Sequence, residues 1–188
     1  MEVIIAISGA SGVQYGIRLL EILSNRDVIT HLIITASAKK IIQIETERTV
    51  AEIEDMASAV YDEKDFTAPI ASGSHRTAAM VIAPCSMRTV GAIATGSADN
   101  LVGRAADVCL KEGRTLILMP RETPLSRIHL ENLLKIQEAG AVILPACPGF
   151  YSNPTTIEEL VNFMAGRVLD LMGMDNDLYD RWGNVSGE

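Results

Sequence analysis

Residues 3–12 read Val-Ile-Ile-Ala-Ile-Ser-Gly-Ala-Ser-Gly: an aliphatic run that stops at a turn of small residues. Helical periodicity (Val13, Ile17, Leu20, Leu23) follows at once. An unbroken aliphatic run of this length is how a parallel strand reads when both its faces are covered. The stretch therefore predicts a buried strand over 2–8 that feeds a short loop at a helix N-terminus. Free N–H groups, the positive end of the helix dipole and the Ser11 hydroxyl would face one way there, which suits a phosphate. The alternative is a tight β–α turn that holds nothing. Gly9-Ala10-Ser11-Gly12 is not G-x-G-x-x-G, so the dinucleotide fingerprint is absent; so short a turn suits one phosphate better than a pyrophosphate.

The same rhythm continues outward. Further strands are expected over 28–35, 79–83, 115–119 and 141–144. Helices are expected over 13–24, 36–46, 49–58, 87–95, 99–112, 124–139 and 155–172, with 59–78 irregular. Gly140 falls where a helix C-cap belongs, and Thr155-Thr156 before Glu158-Glu159 opens the last helix. Alternating strands and helices predict one α/β domain over 1–188: a doubly wound, mostly parallel sheet flanked by helices, the three-layer sandwich of the Rossmann or flavodoxin kind. A polar tail from about 174 either hangs loose or docks on a neighbouring subunit through Trp182.

Composition agrees. The chain has 188 residues, 48% hydrophobic but only 4% aromatic, so the core must be aliphatic. A net charge of −8 argues against a nucleic-acid surface. Three cysteines without C-x-x-C pairing suit a reducing cytoplasm. No stretch reads as a signal peptide or a membrane span.

Ligands of doubly wound folds bind beyond the carboxyl ends of the strands, and the unusual residues cluster in the segments expected there. Pro84-Cys85-Ser86-Met87-Arg88-Thr89 offers hydroxyls, N–H groups and a cation, or alternatively an N-cap serine and a solvated arginine. Cys85 reads as a packed small residue. Pro120-Arg121-Glu122-Thr123-Pro124 sets a cation beside a carboxylate on a stiff backbone. Pro145 to Tyr151 reads as a cavity wall or a plain turn. Arg167, among Val161, Met164, Val168 and Leu171, needs an anionic partner or a path to water. His31, His75 and His129 lack metal-ligand spacing, Asp175, Asp177 and Asp180 read as a solvated tail, and no metal site is assigned.

Ser8 to Gly12, Ile44-Glu45-Thr46, Ala68 to Ser74, Pro84 to Thr89, Arg104-Ala105-Ala106-Asp107-Val108, Pro120 to Leu125 and Pro148-Gly149-Phe150-Tyr151 together resemble the flavin prenyltransferase family of the UbiX type, in family order and over nearly the whole chain. The resemblance implies FMN as cofactor, in its reduced form the acceptor of a dimethylallyl group from dimethylallyl phosphate at N5 and C6. It implies a metal-independent reaction, delivery of prenylated FMN to a UbiD-type decarboxylase, and a dodecamer with sites shared between subunits. Carried over by motif, Gly9, Ala10, Ser11, Thr35, Ser86, Met87, Arg88, Thr89 and Arg121 would bind FMN. Tyr151, Arg167 and Lys111 would grip the prenyl phosphate. Glu122 is the first choice for proton handling, with Ser11 and Glu45 next, and Lys111 assists. Ala68, Pro69, Ile70 and Phe150 would exclude water. His75 stands where many relatives have an aromatic residue, which implies a changed pocket wall or subunit contact. Competing readings are an FMN-dependent cysteine decarboxylase, a non-enzymatic FMN carrier and a flavin-binding accessory protein.

Overall fold

β1 (Glu2–Ile7) lies in the middle of the sheet and is buried from Val3 onward, as an aliphatic run covered on both faces must be. The computed structural model describes residues 1–183. Around β1 stand β2 (Ile29–Ile34), β3 (Ala59–Tyr61), β4 (Ala79–Cys85), β5 (Thr115–Pro120) and β6 (Val142–Ile143), in the order β3-β2-β1-β4-β5-β6. All five pairings are parallel. The order reverses between β1 and β4, the switch point at which such sheets open a crevice.

Alternation along β1 divides the core. Val3, Ile5 and Ile7 face α1 (Val13–Ser24) and α7 (Ile157–Leu171), where Leu19, Leu20, Leu23, Met164, Val168 and Leu169 meet them. Ile4 and Ala6 face the opposite layer, built from α4 (Met87–Thr95), α5 (Leu101–Lys111) and α6 (Arg127–Glu138). α2 (Ala36–Glu45) and the short α3 (Val50–Glu54) follow β2. Gly16 lets α1 lie directly on β4: a Cβ there would fall on the Ala83 carbonyl.

Several boundaries differ from expectation. β3 was read as irregular: it has three residues, Val60 exposed between two half-buried neighbours, too few to show a period. β4 runs on to Cys85 through a cis Ala83–Pro84 peptide, and α3 ends at Glu54 rather than 58. α6 begins only at Arg127, capped by Ser126 and not at 124. Gly140 (φ 104°) follows α6 and Thr156 with Glu159 forms a capping box on α7, both as expected.

Candidate functional site

The carboxyl edge of the sheet is tied together by Ser8. Its buried hydroxyl donates to the Pro84 carbonyl at 2.9 Å and accepts from the Ser86 N–H at 2.8 Å, joining the ends of β1 and β4. α2 and α4 begin on either side of this tie. Thr35 caps α2 by accepting from the Ala38 N–H at 3.2 Å, and Ser86 caps α4 by accepting from the Thr89 N–H at 3.3 Å. The two hydroxyls have near partners in Ser37 (3.2 Å) and Thr89 (3.0 Å). A small cleft between the helix starts is lined by Gly9, Thr35, Ser37, Ser86 and Thr89, with Arg88 at its rim. A side chain at position 9 would fall on Ser37, so only glycine keeps this cradle open. Two helix N-termini, four hydroxyls and a guanidinium make an anion seat. Carboxylates already stand beside it: Glu63 accepts the Ala36 N–H at 2.9 Å, and Asp99 pairs with the exposed Arg88 at 3.5 Å.

The start of α1 is different from the expectation of free N–H groups. Gly12 adopts φ 96°, and the Gly12 and Val13 N–H groups donate to one oxygen of Glu45, at 2.8 and 3.3 Å. A carboxylate from the end of α2 thus caps the dipole that the Gly9–Gly12 loop was expected to offer to a ligand. The Ala10 N–H is also committed, to the Ser8 carbonyl. The helix starts that border the cleft are α4 and α2, the latter with its Ala36 N–H already given to Glu63, while Ser11 and Glu45 stand together at the mouth of α1. Arg121 joins them: its Nε donates to the Ser11 carbonyl at 3.1 Å, across from the end of β5. Glu122 is exposed beside it, its carboxylate accepting from the Thr123 N–H. Met87 is half-buried against the α4–α5 core.

A second cationic position lies on α7. Arg167 is partly buried, and its Nη1 donates to Asp170 Oδ2 and to the Tyr179 hydroxyl, each at 3.3 Å. Asp170 is the anionic partner its apolar surroundings demanded. Among the described residues Arg167 Nε and Nη2 have no hydrogen-bond partner, which leaves one two-donor edge of the guanidinium for a ligand. The hydrogen bond to Tyr179, then the nearby Asp170 and Tyr151, keep the guanidinium charged against the cost of burial. Residues 174–183 of the tail fold back on their own chain, and the rest of it lies outside the described residues. Tyr179 packs on Phe163, and Trp182 stands edge-on to Tyr151 with ring centroids 5.2 Å apart. Gly166 makes room for the Tyr179 ring, which a Cβ would meet at 2.5 Å.

Other expectations need correction. Lys111 ends α5, which runs against the strands, so it lies at the amino edge of the sheet, paired with Glu112 beside Gly73. β5 alone spans about 20 Å between the two edges, and one chain does not bring Lys111 to Arg121, Tyr151 and Arg167. Ala68 and Ile70 are buried in the core layer that Ile4 and Ala6 share with α4, α5 and α6. His75 also lies at the amino edge, where it meets Glu2 and His31, a convergence that spacing did not reveal. Cys85 is fully buried and burial pushes its thiol far up, in keeping with a packing role. Asp170, Tyr179 and Glu63 were not singled out from sequence. Tyr179 and Glu63 find their partners in other elements, and Asp170, though three residues from Arg167 on α7, gains Tyr179, Asn176 and Arg181 only when the tail folds back.

The model of the Flavoprotein family matches residues 1–169. Flavin prenyltransferase UbiX of Methanocaldococcus jannaschii is 49% identical over 98% of this chain and 100% of its own. The structure of AnUbiX (PadA1) in complex with FMN and dimethylallyl pyrophosphate superposes with a TM-score of 0.95 at 42% identity, covering 97% of each chain. A dodecameric FMN-dependent Ubix-like decarboxylase from Escherichia coli O157:H7 also gives 0.95, at 43% identity over 97% of this chain and 99% of that one.

Proposed function

This chain belongs to the flavin prenyltransferases of the Flavoprotein family, and we propose that it transfers a dimethylallyl group to N5 and C6 of reduced FMN. The observation that carries the reading is the presence of two anion positions in one chain: the Ser37-lined cradle between α2 and α4, and the free edge of Arg167 beside Tyr151. A carrier of FMN needs only the first.

The cradle that Gly9 leaves open fits the phosphate of FMN. Gly9, Ala10, Thr35, Ser86, Met87, Arg88 and Thr89 hold the cofactor, and Ser11 and Arg121 border its ring. Reduced flavin, when bound, supplies the nucleophilic centres of the reaction. The chain's own part begins with the donor. Heterolysis of the allylic carbon–oxygen bond of the singly protonated monoester leaves an allyl cation and a hydrogen phosphate dianion, and Arg167 and the Tyr151 hydroxyl stabilise the dianion. Lys111 joins them from a second copy, because its own chain holds it on α5, on the other face of the sheet from Arg167. Glu122, with the departing phosphate, accepts the proton released on ring closure, and Glu45 and Ser11 hold the mouth of the pocket in place. Phe150 (69% exposed) and Trp182 (80% exposed) become the water-excluding wall once a neighbouring copy covers them.

This division of labour makes the enzyme a homo-oligomer, a dodecamer by analogy with the E. coli relative. We place it in the cytoplasm as one domain with a folded-back tail. Free Cys85, Cys109 and Cys147 support that location, and no helix of the described residues is long and apolar enough to cross a membrane. Its product, prenylated FMN, passes to a UbiD-type decarboxylase. The test is anaerobic incubation with reduced FMN and dimethylallyl phosphate or diphosphate, followed by re-oxidation in air. A changed flavin absorption spectrum is expected; a clean return of the FMN spectrum with both donors would overturn the reading.

A further inference from the structure

The amino edge of the sheet carries a cluster that the prenyl-transfer reading does not use. Glu2 and Ile4 share one face of β1, and His31, opposite Ile4, shares that face on the adjacent β2, so Glu2 and His31 are diagonal neighbours on it. His75 arrives from the segment that leads into β4. Glu2 Oε2 stands 2.9 Å from His31 Nε2 and 3.0 Å from His75 Nε2, and the three potential ligand atoms lie within 4.8 Å of one another.

One carboxylate oxygen does not serve both imidazoles equally. His31 Nε2 is aligned for a hydrogen bond to it. His75 Nε2, equally near, is not aligned, and it is buried with no hydrogen-bond partner among the described residues. A buried polar nitrogen left in that state destabilises the fold. A cation between the three groups removes the conflict, since it takes a lone pair from each nitrogen and a charge from the carboxylate.

We propose that Glu2, His31 and His75 form a binding site for a divalent transition-metal ion of the zinc type, remote from the flavin pocket. The donor set, two imidazoles and one carboxylate, suits that class of ion. Donor atoms around a tetrahedral zinc with bonds of about 2.0–2.1 Å stand about 3.3 Å apart, close to the two separations found. The outer contact is present too. His31 Nδ1 lies 3.1 Å from the Tyr61 hydroxyl, a partner that fixes the ring and, with Nδ1–H donating to it, frees Nε2 for a metal. Glu2 is held ionised by the hydrogen bond from His31 and the neighbouring His75, against a desolvation cost. Its side chain is one-third exposed, which leaves an entry path and a position for water as the fourth ligand.

The ion would clamp β1, β2 and the lead-in to β4. That lead-in is already held by Arg114, which donates to the Gly73 and His75 carbonyls at 2.6 and 2.7 Å, and Lys111 leans on it at Gly73. The clamp therefore stiffens the segment beside Lys111.

The test is titration of chelator-stripped protein with Zn²⁺ by calorimetry, with Co²⁺ as a spectroscopic probe. One saturable Zn²⁺ per chain is expected, with a higher melting temperature and a visible Co²⁺ spectrum free of thiolate charge transfer. His75→Ala should abolish binding with little change in melting temperature without metal, since His75 is partly exposed, and Glu2→Gln should weaken it at least tenfold. Prenylation by His75→Ala should stay at the wild-type rate when Lys111 is intact. Absence of saturable binding up to about a hundred micromolar (a ΔG weaker than about −5.5 kcal/mol) would overturn the proposal. So would binding retained in both variants, or thiolate charge transfer, which would place the ion on Cys147.

Discussion

The Glu45 carboxylate accepts the Gly12 N–H at 2.8 Å, so the last residue of α2 closes the first turn of α1. One side chain thereby shapes the mouth of the proposed pocket and satisfies a helix terminus. Glu45→Gln keeps an acceptor oxygen but loses the charge on the dipole. Its stability should fall by less than about 1 kcal/mol, and Glu45→Ala should lose about 1 kcal/mol or slightly more. Prenyl transfer should drop further in both than FMN affinity does. Urea unfolding, flavin titration and turnover measured together check this; a Glu45→Ala variant of unchanged stability would contradict the capping role.

Arg167 offers its Nε–Nη2 edge beside Tyr151 while Nη1 is spent on Asp170 and Tyr179. Removing a charge-assisted contact of this type costs about 1.5–3 kcal/mol, or roughly ten- to a hundredfold in affinity. Arg167→Ala should weaken dimethylallyl phosphate by that factor and leave FMN binding unchanged. Arg167→Lys should recover only part, because a point charge does not reproduce the two-donor edge. Equal losses for both ligands in a calorimetric titration would refute the assignment.

Lys111 and Arg167 stand on helices that cover opposite faces of one sheet, so each site must take them from two chains. Lys111→Ala and Arg167→Ala should each be nearly inactive alone. Co-expression of the two should restore activity, because mixed oligomers contain some sites with both residues intact. Activity that stays at the level of the single variants in verified mixed oligomers would show that the sites are not shared in this way.

Asp170 gathers Arg181, Tyr179 and Asn176. Burial alone would raise its pKa, but the hydrogen bonds from those three side chains outweigh it and hold the carboxyl below its ordinary 3.8. A depressed carboxyl stabilises the fold above its unfolded pKa of about 3.9 and loses that contribution as pH falls through the lower folded value. Arg181→Met should therefore unfold at lower urea than wild type at neutral pH, and the two should converge as pH drops below about 4. A gap that persists unchanged into acid would contradict the sign.

The architecture was legible because its main signals are local. The aliphatic run of β1 and the Pro84–Thr89 helix start each decide their own conformation within a few residues, and the Thr156–Glu159 capping box does the same for α7. What escaped the sequence depends on direction and long-range contact. Glu45 caps a helix whose start lies 33 positions before it in the chain. Lys111 is legible as a lysine that ends a helix, but its place at the amino edge depends on α5 running against the strands. Ala59-Val60-Tyr61 is too short for a period, and Glu2, His31 and His75 come from three separate segments. The tail returned to its own chain because Gly166 leaves space for Tyr179, a small-residue signal with no local partner.

The central claim is that this chain makes two new bonds between a five-carbon unit and reduced FMN. The most direct measurement is the mass of the flavin extracted after anaerobic turnover with dimethylallyl phosphate and, separately, with the diphosphate. A flavin heavier by one C5H8 unit is expected with at least one donor, and loss of that product in Arg167→Ala at donor concentrations that saturate neither site. FMN recovered at its original mass from wild-type protein with both donors would contradict it.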